Sequence, residues 1–125
     1  MNFYFSKSDI IHIHDKLISK FGGSFGIRDE GILDSAIGTP LQTFASKDLY
    51  PTAIEKIIRL SFGLAMDHPF IDGNKRVAAA ILYLGLGANK VPFQVSDEEM
   101  TEEFLLLASG KIPYPDLLSW VYSKI

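Results

Sequence analysis

Apolar and small residues occupy every side of one segment in the second half of the chain. Residues 77–88 read VAAAILYLGLGA, and a helix without a polar face is normally buried. Gly87 to Asn89 supplies a suitable helix end. The pattern therefore predicts a central buried helix from about Asn74 to Ala88, around which the other elements pack.

Apolar residues also recur at helical spacing near the N-terminus. Ser6 to Asp9 fits a capping box, with aspartate in place of the usual glutamate, and Gly22-Gly23 ends the segment. A shorter helix follows Arg28 and runs to about Ile37, with acidic residues in its first turn, where the helix dipole favours them. These patterns predict the first two helices.

Two histidines lie on the first predicted helix. His12 and His14 are two residues apart, so they point to different faces of the helix and do not suit a shared metal ion. We expect His14 at the edge of the core, with a local hydrogen bond. The predicted inward face comprises Ile10, His14, Leu17, Ile18 and Phe21.

Three more helices are predicted around the central one. The third begins with Pro51 in its first turn and stops near Asp67, because Pro69 disfavours helical geometry in His68. The fifth follows a capping box at Ser96–Glu99 and ends near Ala108. The sixth covers about residues 114–123. The sequence therefore predicts an all-α fold, a compact bundle of about six helices.

The segment Thr39–Tyr50 (TPLQTFASKDLY), between the second and third helices, has no helical period. It places threonine, phenylalanine and tyrosine among turn-forming residues, which is typical of ordered surface structure. We predict a short flap here, with a β-hairpin as one candidate form and a plain connector as the alternative.

Length and composition indicate a single domain in a cytoplasmic setting. The chain has 125 residues, of which 47% are hydrophobic and 22% charged, as expected for one globular domain spanning residues 1–125. It has no cysteine, which excludes disulfides and thiolate metal sites. The net charge of −3 argues against direct nucleic-acid binding. Without a signal-peptide pattern or a membrane-length apolar run, we expect a cytoplasmic protein with no membrane partner.

Residues 68–76 (HPFIDGNKR), directly before the central helix, form the most polar and turn-like segment of the chain. We expect Phe70 to anchor it to the core, and Gly73 to adopt a positive φ and bring backbone N–H groups close to a ligand. Those N–H groups open a helix, whose N-terminus is a ready anion site. Lys75 and Arg76 lie in the first turn of that helix, where positive charge is unfavourable because it opposes the helix dipole. Residues that are locally unfavourable in this way are expected at functional sites. A bound phosphate chain would compensate both cations.

Two further residues bring ionisable side chains to that phosphate site. Asp72 supplies a hard oxygen ligand, and Mg²⁺ prefers one or two carboxylates together with substrate phosphates. His68 suits a general base that takes the proton from an attacking hydroxyl. Taken singly, each residue more often has a structural role, such as helix capping or surface charge. Taken together, they predict phosphoryl-type transfer.

Residues 68–76 resemble the signature of the Fic/Doc family. The lysine at position 75 makes this version of the signature similar to that of the death-on-curing (Doc) branch. Other stretches of the chain are also similar to Doc-type proteins. They are His14-Asp15, Phe21 to Gly23, Gly31, Ile37-Gly38, Thr43-Phe44 and Leu49 to Pro51. The resemblance implies the compact all-α Fic/Doc fold, with the motif in the loop before the central helix.

The resemblance also implies roles for individual residues. His68 would be the catalytic general base and Asp72 the Mg²⁺ ligand. The phosphates of ATP would be bound by Gly73, Asn74, Lys75 and Arg76. The flap would dock a peptide of the protein target through Thr39, Thr43, Phe44, Leu49 and Tyr50.

Two positions decide which transfer the resemblance implies. AMP-transferring Fic proteins have a second glycine and a second arginine where this chain has Lys75 and Ala79. Doc-type proteins share the pattern seen here and transfer the terminal phosphate of ATP to a threonine hydroxyl of elongation factor Tu, which arrests translation. The resemblance therefore implies a toxin-like protein kinase. The alternatives are a Fic-type protein nucleotidyltransferase (AMPylation) and a non-catalytic binding module.

The resemblance bears on inhibition as well. The inhibitory helix of the family carries a Ser/Thr-x-x-x-Glu-Gly/Asn motif. The one glutamate here that is followed by glycine or asparagine is Glu30, and Gly26 stands where the serine or threonine would be. A separate antitoxin protein is therefore expected, as in Doc-type toxin–antitoxin systems.

Overall fold

Six α-helices account for most of residues 2–125, the part of the chain that the computed structural model describes. They are α1 (Lys7–Phe21), α2 (Glu30–Gly38), α3 (Ala53–Asp67), α4 (Asn74–Ala88), α5 (Asp97–Ala108) and α6 (Tyr114–Tyr122). A 3₁₀ turn (Thr39–Leu41) and two short strands, β1 (Thr43–Phe44) and β2 (Lys47–Asp48), lie between α2 and α3. The predicted all-α bundle is confirmed.

The helix starts follow the capping signals of the sequence. Ser6 and Ser96 both form complete capping boxes, with Asp9 and Glu99 respectively. The predicted start of α3 was wrong, because Pro51 precedes the helix and is not part of its first turn. Thr52 is the N-cap instead, and its hydroxyl accepts a hydrogen bond from the N–H of Glu55 at 3.1 Å.

The core is centred on α3 and α4, which pack against each other more extensively than any other pair of elements. The hydroxyl of Ser61 on α3 donates to the carbonyl oxygen of Ala78 on α4 at 2.7 Å, and both residues are buried. Gly85 allows this close packing, since a Cβ there would lie 2.7 Å from a methyl of Ile57. The two helices are thereby held in a fixed relation, and the loop that joins them is residues 68–73.

Helix α4 is the predicted central helix and is largely buried, but one of its sides is open to solvent. Tyr83 is 60% exposed and Leu84 is 47% exposed. Helices α1, α3 and α5 pack against α4 but leave the side with these residues uncovered. An apolar sequence allows a helix to be buried, but the number of neighbouring helices decides what fraction of its surface is covered. None of the helices in residues 2–125 combines the length and the hydropathy needed to cross a membrane.

The predicted flap is a β-hairpin, which confirms one of its candidate forms. Strands β1 and β2 pair antiparallel across a turn at Ala45 and Ser46, which have φ values of 52° and 66°. The end of the hairpin is fastened to α3. Lys56 binds the carboxylate of Asp48 at 3.1 Å and also the carbonyl oxygen of Tyr50. These contacts connect the hairpin directly to α3.

Candidate active site

The loop between α3 and α4 and the first turn of α4 form one wall of a cleft of about 430 Å³. The opposite wall comes from the end of α5, with Leu105, Ala108 and Ser109. All six residues of the segment to which the sequence assigned chemistry line this cleft. They are His68, Asp72, Gly73, Asn74, Lys75 and Arg76. A volume of this size is typical of small-molecule sites.

His68 ends α3 in a left-handed backbone conformation, with φ 51° and ψ 59°. The sequence predicted that Pro69 disfavours helical geometry at His68, and the backbone of His68 does leave the right-handed α region there. A non-glycine residue in this region is uncommon and needs support from its surroundings. Arg28 supplies that support, because its Nε donates to the carbonyl oxygen of His68 at 2.7 Å and its Nη2 to that of Asp67 at 2.9 Å.

The α1–α2 connector (residues 22–29) runs antiparallel to the loop and is hydrogen-bonded to it. Ile27 and Phe70 form an isolated β-bridge, and the N–H of Ile71 donates to the carbonyl oxygen of Gly26 at 3.1 Å. The backbone N–H groups of Arg28 and Asp29 both donate to the carbonyl oxygen of Pro69, at 2.8 and 3.1 Å. Sequence reasoning missed this role of the connector, since main-chain pairing leaves no side-chain pattern.

Phe70 anchors the loop, as predicted, and is 1% exposed. Asn74, also buried, holds the backbone of Phe70 on both sides: its Oδ1 accepts from the N–H and its Nδ2 donates to the carbonyl oxygen, each at 2.9 Å. The amide of Asn74 is therefore committed to the loop. In the expected phosphate site, Asn74 can contribute its backbone N–H.

Asp72 is exposed, and its carboxylate is oriented by two backbone donors. Oδ1 accepts from the N–H of Gly73 at 2.8 Å, and Oδ2 accepts from the N–H of Ser24 at 3.0 Å. Gly23 makes room for it, since a Cβ at that position would lie 2.7 Å from Oδ2. Each carboxylate oxygen retains a lone pair for a further contact. Asp72 thus fits a hard divalent cation.

No group of three or more His, Cys, Asp or Glu side chains that could hold a metal occurs within residues 2–125. A cation at Asp72 would therefore take its other ligands from water and from a bound phosphate chain. Mg²⁺ commonly binds in this way, with one or two carboxylates and several non-protein oxygens.

The N-terminus of α4 fits an anion. Gly73 is its N-cap, with φ 77° as predicted, and no side chain within residues 2–125 caps the helix. The side chains of Lys75 and Arg76 are exposed in the first turn. Free backbone N–H groups and two cations therefore lie next to the carboxylate of Asp72, which suits a phosphate chain with a bound cation.

Phe21 contacts Arg76 of this site, although the sequence placed it on the inward face of α1. That prediction was wrong, since Phe21 is 56% exposed. It lies past the edge of the core, and the guanidinium of Arg76 stands 4.8 Å from the centre of its ring. This cation–π contact holds Arg76 at the cleft.

His14 lies directly beneath the loop. The sequence placed it at the edge of the core with a local hydrogen bond, but it is 1% exposed. Its Nε2 donates to the carbonyl oxygen of Asp72 at 2.7 Å, and its Nδ1 lies 3.2 Å from the carboxylate of the adjacent Asp15. Its ring also stacks on Phe70, with 3.9 Å between centroids. Helical spacing predicted burial of this face, but not the contact across 58 residues.

The flap residues divide into exposed and engaged ones. Phe44 is 76% exposed, Leu49 is 51% exposed, and Thr43 is also on the surface. Tyr50 is engaged, because its hydroxyl accepts from the Nε of Arg59 at 3.1 Å. The hydroxyl of Thr39 donates to the carbonyl oxygen of Ser35 at 2.8 Å. The exposed residues can contact another molecule, and the engaged ones hold the hairpin in place.

Comparisons with known proteins find sequences similar to this chain. A sequence model of the Fic/DOC family matches residues 4–86, which include the loop and most of α4. The toxin Doc of Mycolicibacterium smegmatis (strain ATCC 700084 / mc(2)155) is 41% identical over 71 residues. That match covers 57% of this chain and 55% of the toxin, so the chain spans about half the length of this relative.

Proposed function

The chain belongs to the Fic/DOC family, and from this membership and the geometry of the cleft we propose that it is a Doc-like toxin. Its activity would be that of an ATP-dependent protein kinase, which transfers the terminal phosphate of ATP to a threonine hydroxyl of a protein. One observation carries the proposal: a single cleft contains His68, Asp72 and the uncapped, cationic start of α4. A hydroxyl group, a divalent cation and a phosphate chain each find a suitable partner there.

In the proposed reaction, position and charge supply most of the catalysis. His68 accepts the proton of the target hydroxyl while the hydroxyl oxygen bonds to the terminal phosphorus. The bond from that phosphorus to the bridging oxygen breaks, and ADP leaves. The first N–H groups of α4, with Lys75 and Arg76, stabilise the charge on the phosphate oxygens. Asp72 would hold Mg²⁺, which supplies further neutralisation of phosphate charge when it is bound.

The residues at positions 75 and 79 favour phosphate transfer over AMP transfer. Lys75 places a long side chain where a second glycine would leave bare backbone for phosphates. Ala79 lines a groove together with Lys75 and Arg76, and its methyl group cannot pair with a phosphate oxygen. The second cation of AMP-transferring Fic proteins is thus missing, which supports attack at the terminal phosphate.

The target and the inhibitor are proposed by similarity to Doc-type proteins. The exposed Phe44 and Leu49 on the hairpin would dock a peptide of the target, for which elongation factor Tu is the first candidate. Phosphorylation of that factor would arrest translation in the cytoplasm. The relative in Mycolicibacterium smegmatis is named a toxin, which supports a separate antitoxin protein that inhibits this chain.

The position of the label in ATP tests the reaction. Purified protein is incubated with Mg²⁺, elongation factor Tu or cell extract, and ATP labelled at either the α- or the γ-phosphate. We expect a protein product labelled from the γ position alone. Label from the α position would overturn the kinase in favour of AMP transfer. No labelling from either position, with His68→Ala and the unaltered protein behaving alike, would indicate a binding module.

Substitution of the proposed cation ligand tests the site itself. Asp72→Ala should abolish transfer, because it removes the carboxylate beside the phosphate site. Asp67→Ala is the matched control, since Asp67 is also exposed and its contact with Arg28 is through its backbone carbonyl oxygen, not its carboxylate. Full activity of Asp72→Ala would show that the assignment of the cation ligand is wrong.

A further inference from the structure

We propose that His14, on α1, is a positioning residue that holds Asp72 in the geometry needed to bind a divalent cation. The inference rests on the proposed function, because it takes Asp72 as the cation ligand. It assigns a role to a residue outside the loop, 58 positions from Asp72 in the chain. It concerns the hydrogen bond that the imidazole makes and not its titration.

The first observation is the hydrogen bond between His14 and the backbone of Asp72. A carbonyl oxygen can only accept, so Nε2 carries the hydrogen in the 2.7 Å contact. The bond fixes the peptide group that follows Asp72, which is also the peptide group that leads into Gly73 and α4. Because Oδ1 of Asp72 accepts from the N–H of that same group at 2.8 Å, the carboxylate is fixed with it.

The second observation is the ring stack between His14 and Phe70. The two rings are 3.9 Å apart and inclined by 7°, so one imidazole supports the loop at two positions. Both rings are almost fully buried, at 1% exposure each. A buried side chain keeps a single rotamer at little further entropy cost, which makes it suited to positioning a neighbour.

The third observation is that little space remains between His14 and the loop. A Cβ at Gly73 would lie 3.5 Å from Nε2 of His14 and 3.0 Å from Cδ1 of Ile18. The loop therefore rests on α1 without a gap, and displacement of His14 would be transmitted to Asp72. Partners that orient metal ligands in this way are commonly worth about 10–100-fold in metal affinity.

Three substitutions separate the hydrogen bond from the bulk of the side chain. His14→Gln places an amide nitrogen near the position of Nε2 and keeps a donor to Asp72. His14→Asn is shorter, so its amide corresponds to Nδ1 and does not reach Asp72. His14→Phe keeps the ring stack and loses the donor. Ile18→Val is the matched control, since it weakens packing beneath the loop and leaves the hydrogen bond in place.

Direct binding of a non-hydrolysable ATP analogue, measured by calorimetry at increasing Mg²⁺, is the first readout. We expect the Mg²⁺ concentration for half-maximal binding to rise about tenfold in His14→Asn and His14→Phe. It should stay within about twofold of the unaltered protein in His14→Gln and Ile18→Val. A purely structural role would reduce the fraction of folded protein in all four variants without changing the Mg²⁺ requirement. An unchanged requirement in His14→Asn and His14→Phe overturns the inference.

Hydrogen exchange of the backbone amides of residues 70–75 is the second readout, and it needs no nucleotide. Faster exchange in His14→Asn and His14→Phe, with His14→Gln like the unaltered protein, supports the positioning of Asp72. If that pattern is found in a protein that transfers no phosphate, the proposed function fails and the positioning role stands. Equal exchange in all variants overturns the positioning role, whether or not phosphate is transferred.

Discussion

The guanidinium of Arg28 closes the C-terminal end of α3 by donating to the backbone of His68. The Nε–O distance is 2.7 Å, and Nη2 extends the contact to the carbonyl oxygen of Asp67 at 2.9 Å. The last carbonyl groups of a helix have no partner within it, and a cation there also complements the helix dipole. The planar fork of arginine binds both oxygens at once. Arg28 therefore fixes the left-handed backbone from which the His68 side chain projects.

We predict that Arg28→Ala lowers kcat for γ-phosphate transfer about 10–100-fold, because a small displacement of a catalytic group can cost that much. The KM for ATP should change little, since Arg28 is not among the residues that line the cleft. Arg28→Lys should be intermediate, because an ammonium keeps the charge but not the fork. Steady-state kinetics measure both constants.

Lys7→Ala is the control for Arg28→Ala. Lys7, the first residue of α1, is also a cation, and its ion pairs are with two acidic residues of α2, Glu30 at 3.3 Å and Asp34 at 2.8 Å. Its loss should leave kcat unchanged. An equal kcat in Arg28→Ala and Lys7→Ala would show that the contact to His68 has no catalytic role.

A second prediction concerns the choice between the two transfers. Lys75→Gly restores bare backbone at the start of α4, and Ala79→Arg adds a cation in the adjoining groove. We expect the double variant to gain label from the α-phosphate of ATP and to lose label from the γ-phosphate. The ratio of AMP transfer to phosphate transfer is measured by labelling the same protein target with ATP labelled at the α-phosphate and with ATP labelled at the γ-phosphate. An unchanged preference for the γ-phosphate would show that residues elsewhere decide the reaction.

The fold could be predicted from the sequence largely because its helix signals are local. The capping boxes at Ser6 and Ser96 and the glycines after α1 each mark an element end within a few residues. Coverage of α4 could not be predicted, because it depends on which helices pack against Tyr83 and Leu84. The position of Phe21 was wrong for a related reason, since helical spacing gives a direction but not the extent of the core.

In the candidate site too, residues that are close in the sequence could be predicted, and contacts from distant parts of the chain could not. His68, Asp72, Lys75 and Arg76 all lie within residues 68–76, so their joint placement in one cleft follows from a single loop and helix start. Arg28 and His14 support that loop from elsewhere in the chain. Their contacts are to backbone carbonyl oxygens, which every residue has, and nothing in the sequence marks which carbonyl a given side chain will meet.

The exposed tip of the hairpin should affect the target and not the nucleotide. We predict that Phe44→Ser reduces kcat/KM for the protein target at least about tenfold, as loss of a central aromatic anchor typically does. Binding of the ATP analogue should be unaffected, because Phe44 does not line the cleft. Leu84→Ser is the control, since Leu84 is an exposed apolar residue on α4, outside the hairpin. Equal kcat/KM values for the two variants would contradict docking by the flap.

Glu99 couples the stability of α5 to pH. Its contact with the Lys124 ammonium, and then the hydrogen bonds of the Ser96 cap, hold the pKa of Glu99 below its usual range. A carboxyl group whose pKa is lower in the folded than in the unfolded state stabilises the fold at a pH above its unfolded pKa, which is about 4.3. This stabilisation is lost as the pH falls through the pKa of the folded state. Glu99→Gln keeps an acceptor for the cap and removes only the charge.

We therefore expect Glu99→Gln to lower Tm at pH 7 and to have a progressively smaller effect as the pH is reduced from about 5 to about 3. Thermal unfolding followed by circular dichroism measures Tm across this range. Glu98→Gln is the matched control, because Glu98 lies in the same first turn but has no ion pair with Lys124. It isolates the helix-dipole contribution, so its effect on Tm should be smaller. A pH-independent difference between Glu99→Gln and the unaltered protein would mean that the charge of Glu99 does not contribute to stability.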